Sequence, residues 1–144
     1  MTTTHRVVRR SWWPNSMVLW WWVPVVWRWL PWFREPTVIL KREYSYPHEL
    51  GHVEWMWERS PWFPRLRFYP PYLLSRTFRM RAEAYAIARE IAALLEEGKG
   101  HTYEQLLPIY GARLAAGWNL GSKFSPKECA EQIDFYFQKR GGVV

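Results

Sequence analysis

The C-terminal half of the chain has the hydrophobic spacing of amphipathic helices, and the longest of these is rich in alanine. Ser75 can act as its N-cap, because a serine side chain accepts a hydrogen bond from the unpaired N–H groups of a first helical turn. Gly98 can end it, since glycine is the usual residue just past a helix C-terminus. The pattern therefore predicts one long helix that begins at Ser75 and runs to Glu97.

Two more helices are predicted by capping boxes, in which a Ser or Thr cap is followed three residues later by Glu or Gln. Thr102 begins the first of them, near 103–117, and Ser125 begins the second, near 126–139. Pro126 supports the second start, because proline fits the first position of a helix. The C-terminal half is therefore expected to be all helical.

A short β-branched run, TVILKR, precedes the helical half. It covers Thr37–Arg42 and predicts a strand, placed at the edge of its sheet because the run is short and ends in two basic residues. Pro47 then favours a helix start, so that a helix is expected from His48 to about Arg59. The prolines that follow are expected to end it.

Residues 62–71 lie between two predicted helices, are rich in proline and aromatic side chains, and are interpreted as a connection without regular structure. The elements together predict a mainly α (α+β) fold, with a short N-terminal strand followed by a helical bundle. A chain of 144 residues has the size of one domain with at most an appended segment. We therefore predict a Trp-rich segment over 1–35 and a bundle domain over 36–144.

The N-terminal segment is distinguished by its tryptophans, because most of the twelve in the chain lie between Trp12 and Trp32. Prolines and an arginine interrupt every window that could form a membrane-spanning helix, and no signal-peptide cleavage site is visible. Three interpretations stay open: a packing or subunit contact, association with a membrane surface, and a true membrane span. The first is favoured, and it implies a protein partner or self-association through this segment.

Charge and cysteine content narrow the function classes only slightly. A formal net charge of +7 would attract nucleic acid, anionic lipid or an acidic protein surface. The arginines are scattered and form no basic run, so nucleic-acid binding is ranked last. Cys129 is the single cysteine, which excludes an internal disulfide and a zinc site made of thiolates. An intracellular location is favoured.

The string HELGH carries the strongest chemical signal in the chain. His48 and His52 are four residues apart on a predicted helix, so both rings project from one face and can bind one zinc ion at about 2.0–2.1 Å. Glu49 points away from that ligand direction but can reach a water on the metal, where a general base belongs. The alternative is two surface histidines beside a glutamate.

Glu83 is the candidate for a third zinc ligand. It shares an apolar face of the long helix with Met80, Ile87 and Leu94. A carboxylate buried in such a face needs a cation, and zinc held by the preceding helix would supply it. The alternative is a salt bridge to Arg79 or Arg76.

These residues resemble a known family. The segment HELGHVEW, followed by Glu83 in RAEAY, is similar to the small gluzincins, which are minimal HExxH metallopeptidase-like domains with a Glu ligand on a second helix. The resemblance covers about Thr37 to Glu97. It implies a strand before the motif helix, zinc on the two histidines and Glu83, and Glu49 as base. The chain departs from the family in its reduced sheet and in its Trp-rich N-terminus.

Peptide hydrolysis also needs a donor that stabilises the tetrahedral oxyanion. Four side chains are candidates: Tyr69, Tyr72, Tyr110 and His101. Tyr72 is favoured because it lies in the connection between the two ligand-bearing helices. The alternative for each is packing in the core.

The sequence therefore predicts a zinc-dependent metallopeptidase, which hydrolyses peptide or protein substrates with a zinc-bound water and Glu49 as general base. The main alternative is a structural or assembly component of a larger complex that retains the zinc site without peptidase activity. A third hypothesis, a binder of single-stranded nucleic acid through Arg and Trp stacking, rests on composition alone.

Overall fold

The computed structural model describes residues 5–9, 17–19, 37–40, 46–60, 64–117 and 123–141. Most of the Trp-rich segment lies outside these residues, and so do the predictions made for it. Within the described ranges, no helix combines the length and the apolar character needed to cross a membrane.

Five helices follow three short strands in the described part of the chain. The helices are α1 (Tyr46–Arg59), α2 (Pro64–Leu74), α3 (Arg76–Glu96), α4 (Tyr103–Ala115) and α5 (Pro126–Lys139). The predicted mainly α class is therefore confirmed. Four of the five helices begin within two residues of the positions expected from the sequence.

The strands β1 (Arg6–Arg9), β2 (Met17–Leu19) and β3 (Thr37–Leu40) form one sheet with β3 in the middle. Strand β3 runs parallel to β1 and antiparallel to β2, and the fully buried Val38 lies opposite a valine on each side. The prediction of an edge strand is wrong, because the length and the terminal charges of a strand do not reveal partners from remote parts of the chain. Both partners precede residue 36, and the domain boundary there stays a prediction.

Helix α2 corrects the interpretation of residues 62–71 as an irregular connection. Pro70 and Pro71 lie inside this helix, although an interior proline removes a backbone hydrogen bond and normally breaks a helix. Packing compensates for that cost. The buried ring of Phe68 meets Trp55 of α1 edge to face, with the ring centroids 5.7 Å apart.

The helix starts agree with the capping patterns. The Ser75 side chain accepts a hydrogen bond from the Phe78 N–H at 3.2 Å, and Ser125 accepts one from the Glu128 N–H at 3.2 Å. The Glu128 carboxylate returns the bond by accepting from the Ser125 N–H at 2.7 Å. These local bonds satisfy N–H groups that a helix cannot pair internally, which is why such starts could be predicted.

The hydrophobic core is arranged around α3, which packs against the other four helices. Its largest fully buried side chains belong to α1, α3, α5 and β3: Val53, Met56, Ile91, Cys129, Ile133 and Val38. Half of the buried positions of α3 itself are alanines, so neighbouring helices can approach its backbone closely. This close packing positions the site.

Candidate metal centre

Helices α1 and α3 approach each other closely at Gly51. A Cβ atom at this position would lie 2.6 Å from the Cα atom of Ala86 and 3.2 Å from its carbonyl oxygen. A larger residue would therefore push the two backbones apart. Because His48 and His52 flank Gly51 on α1, and Glu83 lies about one turn before Ala86 on α3, the contact brings the three side chains together.

The donor atoms of the three predicted ligands converge. Nε2 of His48 lies 3.3 Å from Oε2 of Glu83, and Nε2 of His52 lies 3.6 Å from the same oxygen. One donor atom from each side chain lies within 4.8 Å of the other two. Two ligands of a tetrahedral zinc ion are about 3.3 Å apart when the bonds are about 2.0–2.1 Å long. Both measured distances are therefore close to the separation of two ligands in a tetrahedral zinc site.

The two histidine rings meet edge to face, with centroids 5.0 Å apart. His52 is buried, with 8% of its surface exposed, and its Nδ1 atom has no hydrogen-bond partner among the described residues. Leaving a buried polar nitrogen unpaired costs free energy. The polar contact of this ring is made by Nε2, which faces Glu83. For His52, the interpretation as a surface histidine does not fit this burial.

The Glu83 carboxyl is held in its charged form. Burial opposes ionisation, but the charge of His52 and hydrogen bonds from both His48 and His52 outweigh it, so the pKa of Glu83 lies well below its usual range. The described contacts do not favour the alternative, a salt bridge between Glu83 and Arg79 or Arg76. Arg79 donates instead to the carbonyl oxygen of Leu73 at 2.7 Å, and Arg76 is exposed.

Tyr72 lies on α2 and donates its hydroxyl to Oε1 of Glu83. The two oxygens of this carboxylate thus have different partners, since Oε2 faces the histidines. Tyr72 stands at the edge of the donor set, and its hydroxyl orients the Glu83 carboxylate. Its predicted role as an oxyanion donor stays a prediction.

Glu49 is 5% exposed, although its side chain is charged at neutral pH in most proteins. Burial, which disfavours the carboxylate, raises the pKa of Glu49 and outweighs the attraction of the nearby His52 and His48. A carboxylate with a raised pKa is a stronger proton acceptor than an exposed one. The environment of Glu49 is therefore that of a candidate general base.

Glu90 belongs to the cluster but was not predicted from the sequence. Its Oε2 atom lies 3.1 Å from Nδ1 of His48, and the Tyr110 hydroxyl donates to its Oε1 atom at 2.9 Å. Burial opposes ionisation of Glu90, but the hydrogen bond from His48 outweighs it and lowers the pKa. The sequence feature that could have indicated Glu90 is its spacing, because a residue seven positions after Glu83 lies on the same helix face two turns later.

The other oxyanion candidates have different surroundings. Tyr110 is buried and bonded to Glu90, and the side chain of His101 is exposed at the start of α4. The side chain of Tyr69 lies outside the described part of the structure. Of the three candidates whose side chains the structure describes, Tyr72 is the one whose hydroxyl contacts a member of the donor set.

Two imidazole nitrogens and one carboxylate oxygen are a donor set that zinc accepts, and they leave a fourth position for water or substrate. The distances from Glu83 to the two histidines are close to those between zinc ligands. Comparison of the chain with protein-family models, with curated proteins and with solved structures finds no match. The resemblance to the small gluzincins therefore stays a prediction.

Proposed function

We propose that this chain is a zinc-dependent metallopeptidase in which His48, His52 and Glu83 hold the metal. The observation that supports it most is that the three donor atoms lie within 4.8 Å of one another. They come from two different helices, and Glu83 follows His52 by 31 positions in the sequence. A structural salt-bridge cluster would also account for the charged, buried carboxylate of Glu83. An ion pair would also turn the two Nε2 atoms toward one oxygen, so the zinc content of the chain separates the two explanations.

Each side chain has a role in the proposed hydrolysis of a peptide bond. Zinc in this position would polarise the peptide carbonyl and acidify a water molecule. Glu49 accepts the proton of that water and passes it to the leaving amine, for which its raised pKa suits it. Tyr72 donates its hydroxyl to the carbonyl oxygen as negative charge develops there, and it releases Glu83 to do so.

The proposed substrate is a peptide or an unstructured protein. The Trp-rich segment, 1–35, is proposed to bind a protein partner or a second copy of the chain, because its tryptophans are too numerous and too clustered to be left in water. Zinc is the proposed cofactor.

The experiment compares zinc content and hydrolysis of an unstructured protein substrate in the parent chain and in Glu49→Gln. The amide cannot accept a proton, so we expect zinc to be retained and turnover to fall by about 10²–10⁴-fold. Glu58→Gln is the matched control, since it makes the same chemical change on an exposed side chain of the same helix.

Three results would separate the functions. Equal turnover in Glu49→Gln and the parent would show that Glu49 is not the base. A parent that binds zinc and hydrolyses nothing would instead indicate a structural or assembly component. Less than about half a zinc ion per chain, after purification without chelators, would refute the metal site itself.

A further inference from the structure

The ring of His48 is supported on the side opposite the three donor atoms. Its Nε2 atom faces Glu83, and its Nδ1 atom lies 3.1 Å from Oε2 of Glu90. The second oxygen of Glu90 accepts the Tyr110 hydroxyl at 2.9 Å. Two carboxylates of α3 and one hydroxyl of α4 therefore fix the orientation of a single imidazole.

We propose that Glu90 and Tyr110 are a positioning pair for the metal centre, which hold His48 with its proton on Nδ1 and its Nε2 lone pair toward the ion. This inference rests on the proposed function and deepens it. Neither residue touches the metal or the substrate. Tyr110 acts through Glu90, and Glu90 acts through His48.

The physical reason is the two-sided chemistry of imidazole. A neutral ring has one N–H and one lone pair, so a carboxylate that accepts a hydrogen bond from Nδ1–H leaves Nε2 free to bind a metal. A negative charge behind the ring also makes Nε2 a stronger ligand. The Tyr110 hydroxyl keeps the Glu90 carboxylate in line, because a hydrogen bond to each oxygen restricts its rotation.

The two histidines differ in this respect. The Nδ1 atom of His52 is buried without a partner among the described residues, whereas that of His48 is paired with Glu90. Arg113 also approaches Glu90, but its guanidinium is 4.0 Å from Oε1 and mostly exposed, so it contributes little. His48 is thus the ligand that the fold orients through hydrogen bonds, and His52 is oriented by packing.

Helix α4, which carries Tyr110, takes part in this arrangement. The likeness to the small gluzincins ends near Glu97, and Tyr110 lies beyond that point. Helix α4 therefore completes the metal centre instead of only covering the core.

The test measures zinc affinity by competition with a chromophoric chelator, for the full chain and its variants. Glu90→Gln should weaken zinc binding by about ten- to a hundredfold, as losses of such outer partners do. Tyr110→Phe should weaken it by about two- to tenfold, a smaller effect, because the lost hydrogen bond acts on the metal only through Glu90. Because Tyr110 acts through Glu90, adding Tyr110→Phe to Glu90→Gln should cause no further loss.

Tyr110→Phe is the decisive variant, since it preserves every charge and almost all of the buried ring. It answers the question even where Glu90→Gln does not fold. Its matched control is Tyr103→Phe, which removes a buried tyrosine hydroxyl from the same helix, where it donates to Asp134 at 2.6 Å. The control should destabilise the metal-free fold to a similar degree and leave zinc affinity unchanged.

A nitrogen-15 NMR spectrum of the zinc-bound parent supplies a second readout, in which Nδ1 of His48 should carry the proton and Nε2 the metal. A parent that bound no zinc would refute the proposed function and this assignment together. A zinc-binding parent whose Glu90→Gln and Tyr110→Phe variants bound as tightly would refute the assignment alone. Equal losses of affinity in Tyr110→Phe and Tyr103→Phe would also overturn it, because general destabilisation would then explain both.

Discussion

Replacing Gly51 by alanine should force α1 and α3 apart. The new methyl carbon would begin 2.6 Å from the Cα atom of Ala86, whereas carbon atoms in ordinary contact are about 3.5–4.0 Å apart. The backbones must therefore separate by about 1 Å, because neither partner is a side chain that can rotate away. Overpacking of a core costs about 1–3 kcal/mol, and a contact between backbones belongs at the upper end of that range.

Helix propensity acts in the opposite direction. Alanine is more favourable than glycine inside a helix by about 1 kcal/mol. The expected net result for Gly51→Ala is a loss of about 2 kcal/mol in the free energy of unfolding. In a chain of this size a change of 1 kcal/mol shifts the melting temperature by about 2–4 °C, so the metal-free protein should melt about 4–8 °C lower.

The assay is urea unfolding of the metal-free chain, followed by zinc titration. Separation of the helices moves both histidines away from Glu83, and a preorganised site tolerates only about 0.5 Å, so zinc affinity should fall about tenfold or more. Ala112→Gly, at an exposed position of α4, measures the propensity term in the same protein. The reasoning would be refuted if Gly51→Ala raised the free energy of unfolding by as much as Ala112→Gly lowers it. Helix propensity alone would then explain both variants, and the close contact at Gly51 would carry no cost.

Three further predictions test the site and the fold. His52→Ala should abolish stoichiometric zinc binding, and a strong chelator, which should lower the melting temperature of the parent, should leave that of the variant unchanged. Hydrogen bonds to Glu83 and Glu90 outweigh burial and raise the pKa of His48 to about 10, so zinc must displace a proton there. Zinc affinity should then fall about tenfold for each unit that the pH is lowered below about 10. A constant affinity from about pH 6.5 to 8.5 would contradict this. Ser125→Ala should cost about 1 kcal/mol of stability through the lost cap of α5, measured by urea unfolding, with zinc affinity unchanged.

The parts of the fold that could be predicted are those decided by neighbouring residues. Ser75 and Ser125 bond N–H groups only three positions away, so their helix starts are visible in the sequence. Helix α2 was missed because local rules treat Pro70 and Pro71 as breakers, while the packing of Phe68 that retains the helix involves residues on other elements.

In the site, too, contacts set by neighbouring residues could be predicted and contacts between distant parts of the chain could not. His48 and His52 are linked by helical periodicity, and Glu83 was found because a carboxylate on an apolar face needs a partner. Glu90 could have been proposed on the same ground, but its contact with His48 spans 42 positions and depends on how α1 lies on α3. That packing depends on Gly51 and the alanines of α3, and the local patterns of the sequence do not reveal how the two helices cross.

The two prolines inside α2 have a consequence for motion. Proline has no backbone N–H, so this helix of 11 residues lacks two of its internal hydrogen bonds and is attached to the rest of the fold mainly by side chains. Its amide protons should exchange with solvent well before those of α1 and α3, through local opening instead of global unfolding. Each opening would carry Tyr72 away from Glu83. Access of water and substrate to the centre would then be governed by the local stability of α2, and a substitution there could change the speed of turnover without altering any group that touches the metal.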